Sequence, residues 1–149
     1  MNYKLVPYTD DYYQFVYDLK KTVYRQYVEE CWGEWNEAVQ KEMFDRFIDS
    51  VKGDTHLIFS QGQVIGFYNG TTLDDGSYEI GNICITPEYQ NHGLGTQVLR
   101  DVLAIHKAKD IHIQYFKQNP VGRLYERLGF VPDGENDFHY VMKRFGETD

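Results

Sequence analysis

The sequence predicts an α+β domain: a mixed, mostly antiparallel central sheet of about seven strands, with flanking helices and one central βαβ unit. Three observations predict it. Two segments with apolar residues at helical spacing come early in the chain, and short β-rich runs separated by hairpin-type turns follow them. A further helical pattern lies between two β-rich runs, which a right-handed crossover would make parallel.

The N-terminal third is predicted to form one strand and two helices. Tyr3–Tyr8 is the strand, and Thr9-Asp10 are capping residues for a helix over about 11–30. Apolar side chains recur every four residues along this helix: Phe15, Leu19, Val23 and Tyr27. The segment 31–33, Cys-Trp-Gly, breaks it, and a second helix is expected over Glu34–Ile48.

Hairpin signals order the middle of the chain. Strands are expected over Thr55–Ser60 and Val64–Tyr68, joined by a tight turn at 61–62 (Gln-Gly). Asp75-Gly76 is preferred to Asn69-Gly70 as the next turn, because residues 78–85 then form a complete strand. Asn69-Gly70 is expected to be a bulge or a strand end.

The C-terminal half contains the crossover. A helix over about 95–107 and a strand over 111–116 follow the strand at 78–85. Another helix is predicted with Asn119 as N-cap and Pro120 at its first position, ending at Gly129. The final two strands are expected at 130–131 and 138–143.

Composition favours one intracellular domain spanning residues 1–149. The N-terminal stretch lacks the apolar centre of a signal peptide, and no run of about 18 apolar residues suggests a membrane span, so we expect a cytoplasmic protein without membrane partners. The net charge of -8 disfavours nucleic acid and slightly favours a cationic ligand. Cys31 and Cys84 match no metal spacing, and the histidines form no His-Glu-x-x-His pattern, so no metal is expected.

A glycine-containing loop between a strand and a helix predicts an anion site. Gly93 and Gly95 allow close backbone approach, and the free N–H groups of the following helix favour negative charge. Gln90, His92 and Thr96 add side-chain donors. A P-loop would need Gly-Lys-Ser/Thr, and a Rossmann loop a third glycine at position 98, which is valine.

The chain resembles the GCN5-related N-acetyltransferase (GNAT) superfamily in two motifs. The first is a hydrophobic strand followed by Thr-Pro-Glu-Tyr-Gln-Asn-His-Gly-Leu-Gly-Thr over residues 86–96; the second is Asn-Pro-Val-Gly-Arg-Leu-Tyr-Glu-Arg-Leu-Gly-Phe over 119–130. One departure is Gly122, where the family usually has alanine. It makes a contact between Asn119 and the cofactor less firmly expected than the loop contacts.

That resemblance implies an enzyme that uses acetyl-CoA as co-substrate. Its pyrophosphate would bind the loop, and its pantetheine arm would lie along the preceding strand. The implied cofactor-binding residues are Ile83, Cys84, Ile85, Gln90, Asn91, His92, Gly93, Leu94, Gly95, Thr96 and Asn119.

Transfer to an amine needs a base and an acid. An alkylamine is almost wholly protonated at pH 7, so a base must take its proton; Glu79, or water, is the candidate. The alternative for Glu79 is a solvated strand residue. Tyr125 occupies the position of the family's general-acid tyrosine and would protonate the departing thiolate; the alternative is a packing aromatic. No His/Asp arrangement activates Cys84 for a covalent route.

The acceptor is expected to be a primary amine of a small molecule or peptide, held near the first two helices. Aromatic rings can cage an ammonium and carboxylates can pair with it, although the same residues would also suit the core between the helices. The candidates are Tyr24, Tyr27, Glu30, Trp32, Glu34 and Trp35. Rival hypotheses are a non-catalytic acyl-CoA sensor and a nucleotide-binding interaction domain; a homodimer is possible.

Overall fold

A computed structural model describes residues 2–148, which form seven strands and four α-helices. The strands are β1 (Lys4–Pro7), β2 (Thr55–Ser60), β3 (Gln63–Thr72), β4 (Tyr78–Ile85), β5 (Ile111–Phe116), β6 (Val131–Glu135) and β7 (His139–Arg144). The helices are α1 (Tyr13–Trp32), α2 (Glu37–Val51), α3 (Leu94–Ile105) and α4 (Gly122–Arg127). None of the helices in this described range is both long and apolar enough to cross a bilayer.

The strands are ordered β1-β2-β3-β4-β5-β7-β6 in one sheet. The β1–β2, β2–β3, β5–β7 and β6–β7 pairs are antiparallel, whereas β4 and β5 are parallel. This confirms the predicted fold class, including the central βαβ unit.

The chain divides into two compact units. The N-terminal unit runs to Asn69 and resumes over Asn82–Gly95, and the C-terminal unit comprises Gly70–Gly81 and the chain from Thr96 onward. In the N-terminal unit, α1 and α2 bury apolar side chains against β2 and β3. This core contains Val16, Tyr17, Leu19, Phe44, Ile48, Leu57 and Phe67, together with Cys84 of β4.

The helix boundaries in the N-terminal unit follow from local capping. α1 begins after a 3-10 turn over Asp10–Tyr12 and continues through Trp32, two residues beyond its predicted end, because Gly33 supplies the left-handed C-cap. The prediction that α2 begins at Glu34 is wrong: Asn36 is its N-cap and accepts a hydrogen bond from the backbone N–H of Val39.

The structure tests the predictions made for the segments 61–62, 69–70 and 75–76. Gln61 and Gly62, both with positive φ, form the predicted turn between β2 and β3. The expectation that a strand ends at Asn69-Gly70 is wrong, because β3 continues to Thr72, and the alternative of a bulge there stays a prediction. The pairing of β2 with β3 is irregular elsewhere: Ile58 pairs with Gly66 and Phe59 with Val64, so Ile65 of β3 is the extra residue. The chain then turns at Gly76, and both β4 and β5 have their predicted boundaries.

Strands β3 and β4 approach each other closely where β4 ends. A Cβ atom at Gly66 would lie 2.2 Å from the carbonyl oxygen of Cys84, and the Thr86 N–H donates to the Ile65 carbonyl at 2.8 Å. Only glycine fits a strand position that another backbone approaches so closely. This contact fixes the end of β4, from which the candidate loop departs.

Candidate active site

The glycine loop begins where β4 ends. After Ile85 the chain forms a 3-10 turn over Pro87–Tyr89, and the following residues up to Gly93 are exposed. The side-chain amide of Gln90 donates to the Ile85 carbonyl at 2.8 Å, which ties the loop back to the strand. This hydrogen bond holds the loop in place, and the role of Gln90 as a donor to phosphate stays a prediction.

The backbone of the loop curves through two left-handed residues. Asn91 has φ 66° and Gly93 φ 76°, and α3 begins at the next residue, Leu94. Asparagine and glycine are the residues that most readily adopt this conformation. The first-turn N–H groups of α3 have no partners within the helix and carry its partial positive charge.

Space remains around the loop glycines. A Cβ atom at Gly93 would meet nothing within 4 Å, and one at Gly95 would meet only the Ile85 side chain, at 3.7 Å. Each of these glycines therefore has space beside it for at least a methyl-sized group. His92 is exposed, whereas Leu94 is buried and anchors the start of the helix.

The second half of β4 presents backbone groups that its ladder with β5 does not use. That ladder comprises the pairs Tyr78↔Ile111 and Glu79↔His112 and does not extend to residues 83–85. Ile83 is half-buried, and Ile85 and Cys84 are buried. The predicted arm-binding residues thus lie on a strand segment that contacts β3 at Ile65 and Gly66.

Cys84 is shielded from reaction by burial. Its side chain is part of the core under α1, and burial raises the pKa of its thiol to about 12. A thiol with this pKa stays protonated near neutral pH and is a poor nucleophile. The geometry therefore agrees with direct transfer rather than an acetyl-enzyme at Cys84.

A chain of hydrogen bonds crosses the N-terminal unit beside Cys84. The Cys84 thiol donates to the Tyr24 hydroxyl oxygen at 3.9 Å, and this hydroxyl donates to Asn82 Oδ1 at 2.8 Å. Asn82 in turn donates through Nδ2 to Asn69 Oδ1 at 3.2 Å. The structure thus connects the predicted acceptor residue Tyr24 to β4.

Sequence reasoning missed Asn82 and Asn69, which are both buried. The available signal was parity: Asn82 is two residues from Cys84 on the same strand, so both side chains were expected on one face. A buried amide requires a hydrogen-bond partner, and a tyrosine on the covering helix is a suitable one.

The other acceptor candidates lie on α1 and at the α1–α2 junction. Glu30 accepts a hydrogen bond from Gln26, and the Trp35 indole donates to Glu37 at 2.8 Å while Lys21 lies 5.6 Å above its ring. Trp35 therefore already has a cation on one face. Tyr27 is half-buried, Glu34 is exposed, and Trp32 is 54% exposed.

Glu79 belongs to the C-terminal unit. It is exposed, between the buried residues Tyr78 and Ile80, and it pairs with His112 in the β4–β5 ladder. Its role as a base stays a prediction, as does the alternative that it is a solvated strand residue.

Tyr125 lies on α4 in an aromatic cluster of the C-terminal unit. Its ring packs edge-on against Tyr115 at 5.5 Å and tilted against Phe130 at 5.8 Å. The ring is half-buried. These contacts fix the position of the ring and leave its acid role a prediction.

The start of α4 differs from the prediction. Asn119 is not the N-cap; the helix begins at Gly122, and Asn119 Oδ1 accepts from the Val121 N–H at 3.1 Å in the preceding turn. A Cβ atom at Gly122 would lie 2.3 Å from the Tyr115 hydroxyl. The departure from the usual alanine is thus explained by the tyrosine that fills this space.

Comparison with known proteins identifies the family. A model of the acetyltransferase (GNAT) family matches residues 23–130. The chain belongs to this family.

No group of three or more His, Cys, Asp or Glu side chains within residues 2–148 is arranged to hold a metal ion. No curated protein sequence matches the chain.

Solved structures of acetyltransferases share the fold. A Corynebacterium glutamicum protein described as histone acetyltransferase HPA2 and related acetyltransferase superposes with a TM-score of 0.77 at 16% identity, covering 100% of this chain and 99% of that one. PaiA N-acetyltransferase from Thermoplasma acidophilum, in complex with coenzyme A, gives 0.71 at 15% identity, covering 97% and 99%. At these identities the likeness shows the fold.

Proposed function

We propose that this GNAT family member transfers an acetyl group from acetyl-CoA directly to a primary amine of a small molecule or peptide. The observation that carries the proposal is the open loop at residues 90–93, which Gln90 holds to β4 and which leads directly into the first turn of α3 at residues 94–96. Backbone N–H groups at such a helix start suit a pyrophosphate. A structural neighbour in complex with coenzyme A supports CoA as the ligand.

The proposed binding mode follows from the strand. The pantetheine arm would hydrogen bond to the backbone of residues 83–85, which the β4–β5 ladder does not include. Main-chain hydrogen bonds to an extended ligand act like an added strand. Asn91, His92 and Thr96 would line the pyrophosphate, and Asn119 remains a weaker candidate.

The proposed chemistry uses one base and one acid. Glu79, or water, would remove the proton from the acceptor ammonium, so that the neutral nitrogen attacks the thioester carbonyl. The C–S bond then breaks, and Tyr125 would donate a proton to the CoA thiolate. The acceptor would lie near Tyr24, Tyr27 and Trp32.

Two measurements, one of ligand binding and one of acetyl transfer, test the proposal separately. Thermal-shift measurements with acetyl-CoA, ATP and NAD should show stabilisation by acetyl-CoA alone, by about 3 kcal/mol at a hundredfold excess over Kd. Transfer to a panel of primary amines should follow. Stabilisation by ATP or NAD instead would contradict the assignment of the loop, and acetyl-CoA binding without any transfer would point to a sensor.

A further inference from the structure

A polar side-chain network lies beside the apolar core of the N-terminal unit. It joins three residues from three elements: Tyr24 of α1, Asn69 of β3 and Asn82 of β4. Both asparagines are buried, with only 2% and 9% of their surface exposed. Buried carboxamide groups need partners for their hydrogen-bonding atoms, so each member of the network restricts the orientation of the next.

The Tyr24 hydroxyl contacts both chain neighbours of Ile83. It donates to Asn82 Oδ1 at 2.8 Å and accepts from the Cys84 thiol at 3.9 Å. Alternate residues of a strand point to the same face, so Asn82 and Cys84 face α1 while Ile83 points to the other face. One hydroxyl on the helix therefore anchors the strand on either side of Ile83, whose backbone is assigned to the acetyl-CoA arm.

Asn82 is also tied to the neighbouring strand. Its Nδ2 atom donates to Asn69 Oδ1 at 3.2 Å, and β3 lies next to β4 in the sheet. At the other end of the segment, Gln90 donates to the Ile85 carbonyl at 2.8 Å. Residues 83–85 thus lie between two anchored carboxamide side chains, whereas the β4–β5 ladder does not reach them.

The network is not optimal for stability. The Nδ2 atom of Asn69 is buried and has no hydrogen-bond partner within residues 2–148. An unpaired buried donor lowers the free energy of unfolding, and apolar side chains at these positions would avoid that loss. A role at the adjacent strand explains the polar residues better than the stability of the core does.

We propose that Tyr24 is a positioning residue for acetyl-CoA: through Asn82 it holds the backbone of residues 83–85 in the arrangement that the pantetheine arm requires. The proposal rests on the acetyltransferase function proposed above. A strand segment that is already ordered loses little further conformational entropy when an extended ligand pairs with it. The single proton of the Tyr24 hydroxyl is used by Asn82, so the acceptor contact predicted from the sequence is left to the ring.

Two ligands separate the arm from the phosphates. Acetyl-CoA contains both, whereas 3′-phospho-ADP, the nucleotide part of CoA, contains the phosphates without the arm. Tyr24→Phe keeps the ring and removes the hydroxyl, so the Kd for acetyl-CoA should rise about fivefold, as expected for one hydrogen bond. The Kd for 3′-phospho-ADP should change less than about twofold. Isothermal titration calorimetry measures both values.

Tyr17→Phe is the matched control. Tyr17 lies on the same helix and its hydroxyl also donates at 2.8 Å, but to Glu37 rather than to β4. Its loss should leave both Kd values within about twofold of wild type. In the chain without ligand, hydrogen exchange over residues 82–86 should be faster in Tyr24→Phe than in Tyr17→Phe, because only the first variant releases β4.

A second variant tests whether Tyr24 acts through Asn82. Asn82→Ala removes the same hydrogen bond from the other side. The double variant Tyr24→Phe/Asn82→Ala should therefore bind acetyl-CoA no more weakly than Asn82→Ala alone. If the two effects on affinity add, Tyr24 does not act through Asn82 and the proposal is wrong.

Three further outcomes would overturn the proposal. The first is an unchanged Kd for acetyl-CoA in Tyr24→Phe, whether or not the KM of the acceptor amine rises. The second is an equal loss of affinity for acetyl-CoA and 3′-phospho-ADP, which would show a general disturbance of the N-terminal unit. Both outcomes leave the acetyltransferase function standing. The third is a wild-type chain that does not bind acetyl-CoA, in which case that function fails as well.

Discussion

Two motifs of this chain have a glycine at or just before the start of a helix, and they differ in what surrounds that glycine. At the loop, Cβ atoms on Gly93 and Gly95 would meet open space or an ordinary van der Waals contact. At α4, a Cβ on Gly122 would collide with the Tyr115 hydroxyl. Glycine leaves room for a ligand in the first motif and for a neighbouring side chain in the second.

The difference separates two ways of building a site. The loop acts through its backbone, so its candidate function depends on conformation and space. In the proposed mechanism the α4 motif would act through a side chain, Tyr125, whose position depends on packing against Tyr115 and Phe130. Substitutions at the loop should therefore change binding, whereas those at α4 should change turnover or stability.

The largest expected effect concerns the side-chain motif. Tyr125→Phe removes the proposed proton donor and keeps the ring, so kcat should fall about a hundredfold while the Kd for acetyl-CoA changes less than about twofold. Steady-state kinetics and calorimetry measure the two quantities. Tyr115→Phe is the matched control, since it removes a neighbouring hydroxyl without an assigned role in transfer. Unchanged kcat in Tyr125→Phe would exclude Tyr125 from the mechanism.

The second prediction concerns packing at α4. Gly122→Ala should lower the free energy of unfolding by about 2 kcal/mol, because the new methyl group overlaps the Tyr115 hydroxyl. Tyr115→Phe in the same chain should restore only part of this loss, because the ring Cζ atom of residue 115 still lies 2.9 Å from the new Cβ atom. Urea denaturation of the four chains in this cycle gives the coupling energy. If the effects of the two substitutions on the free energy of unfolding simply add, the proposed overlap is wrong.

The third prediction breaks binding at the loop without breaking the fold. Gly95→Asp places a carboxylate in the first turn of α3, where it favours the helix and repels pyrophosphate. The Kd for acetyl-CoA should rise at least about tenfold, while the free energy of unfolding stays within about 1 kcal/mol of wild type. Gly95→Ala is the matched neutral control. If Gly95→Asp and Gly95→Ala bind acetyl-CoA with equal affinity, the phosphates do not bind at this helix start.

The smallest effect tests the burial of Lys20. Its folded pKa of about 8 lies below the ordinary 10.5, so between these values the unfolded chain binds more protons and stability rises with pH. Cys84 opposes this rise above pH 9, since its pKa increases from 9.0 to about 12 on folding. Between pH 8 and 9 the wild type should gain about 1 kcal/mol relative to Lys20→Met. If the free energies of unfolding of the wild type and Lys20→Met, measured in urea, change equally with pH, Lys20 is solvated.

The sequence predicted the parts of the molecule in which local signals decide the structure. Strands β4 and β5 have their predicted limits, because turn residues and a helix bound each of them. Asp75-Gly76 was rightly preferred as the hairpin turn, but the strand end expected at Asn69-Gly70 is wrong, because β3 continues to Thr72. Buried pairing of β3 overrode that local preference.

The sequence predicted the backbone part of the candidate site, the glycine loop, but not the side-chain contacts around it. Glycine spacing indicated the loop, but no local pattern indicated that Gln90 binds the Ile85 carbonyl or that Tyr24 reaches Asn82. Contacts between residues far apart in the chain follow from packing, which spacing does not encode. The same holds for Lys20 of α1, whose ammonium lies over the Phe47 ring of α2.

The central claim is acetyl transfer to an amine, and the most direct measurement follows both products together. Wild-type protein is incubated with acetyl-CoA and a panel of primary amines, and mass spectrometry quantifies each N-acetyl product against free CoA thiol. The account predicts one acetylated amine for each CoA released, with a preference for particular amines. Acetyl-CoA that binds and is recovered intact with every amine would contradict it.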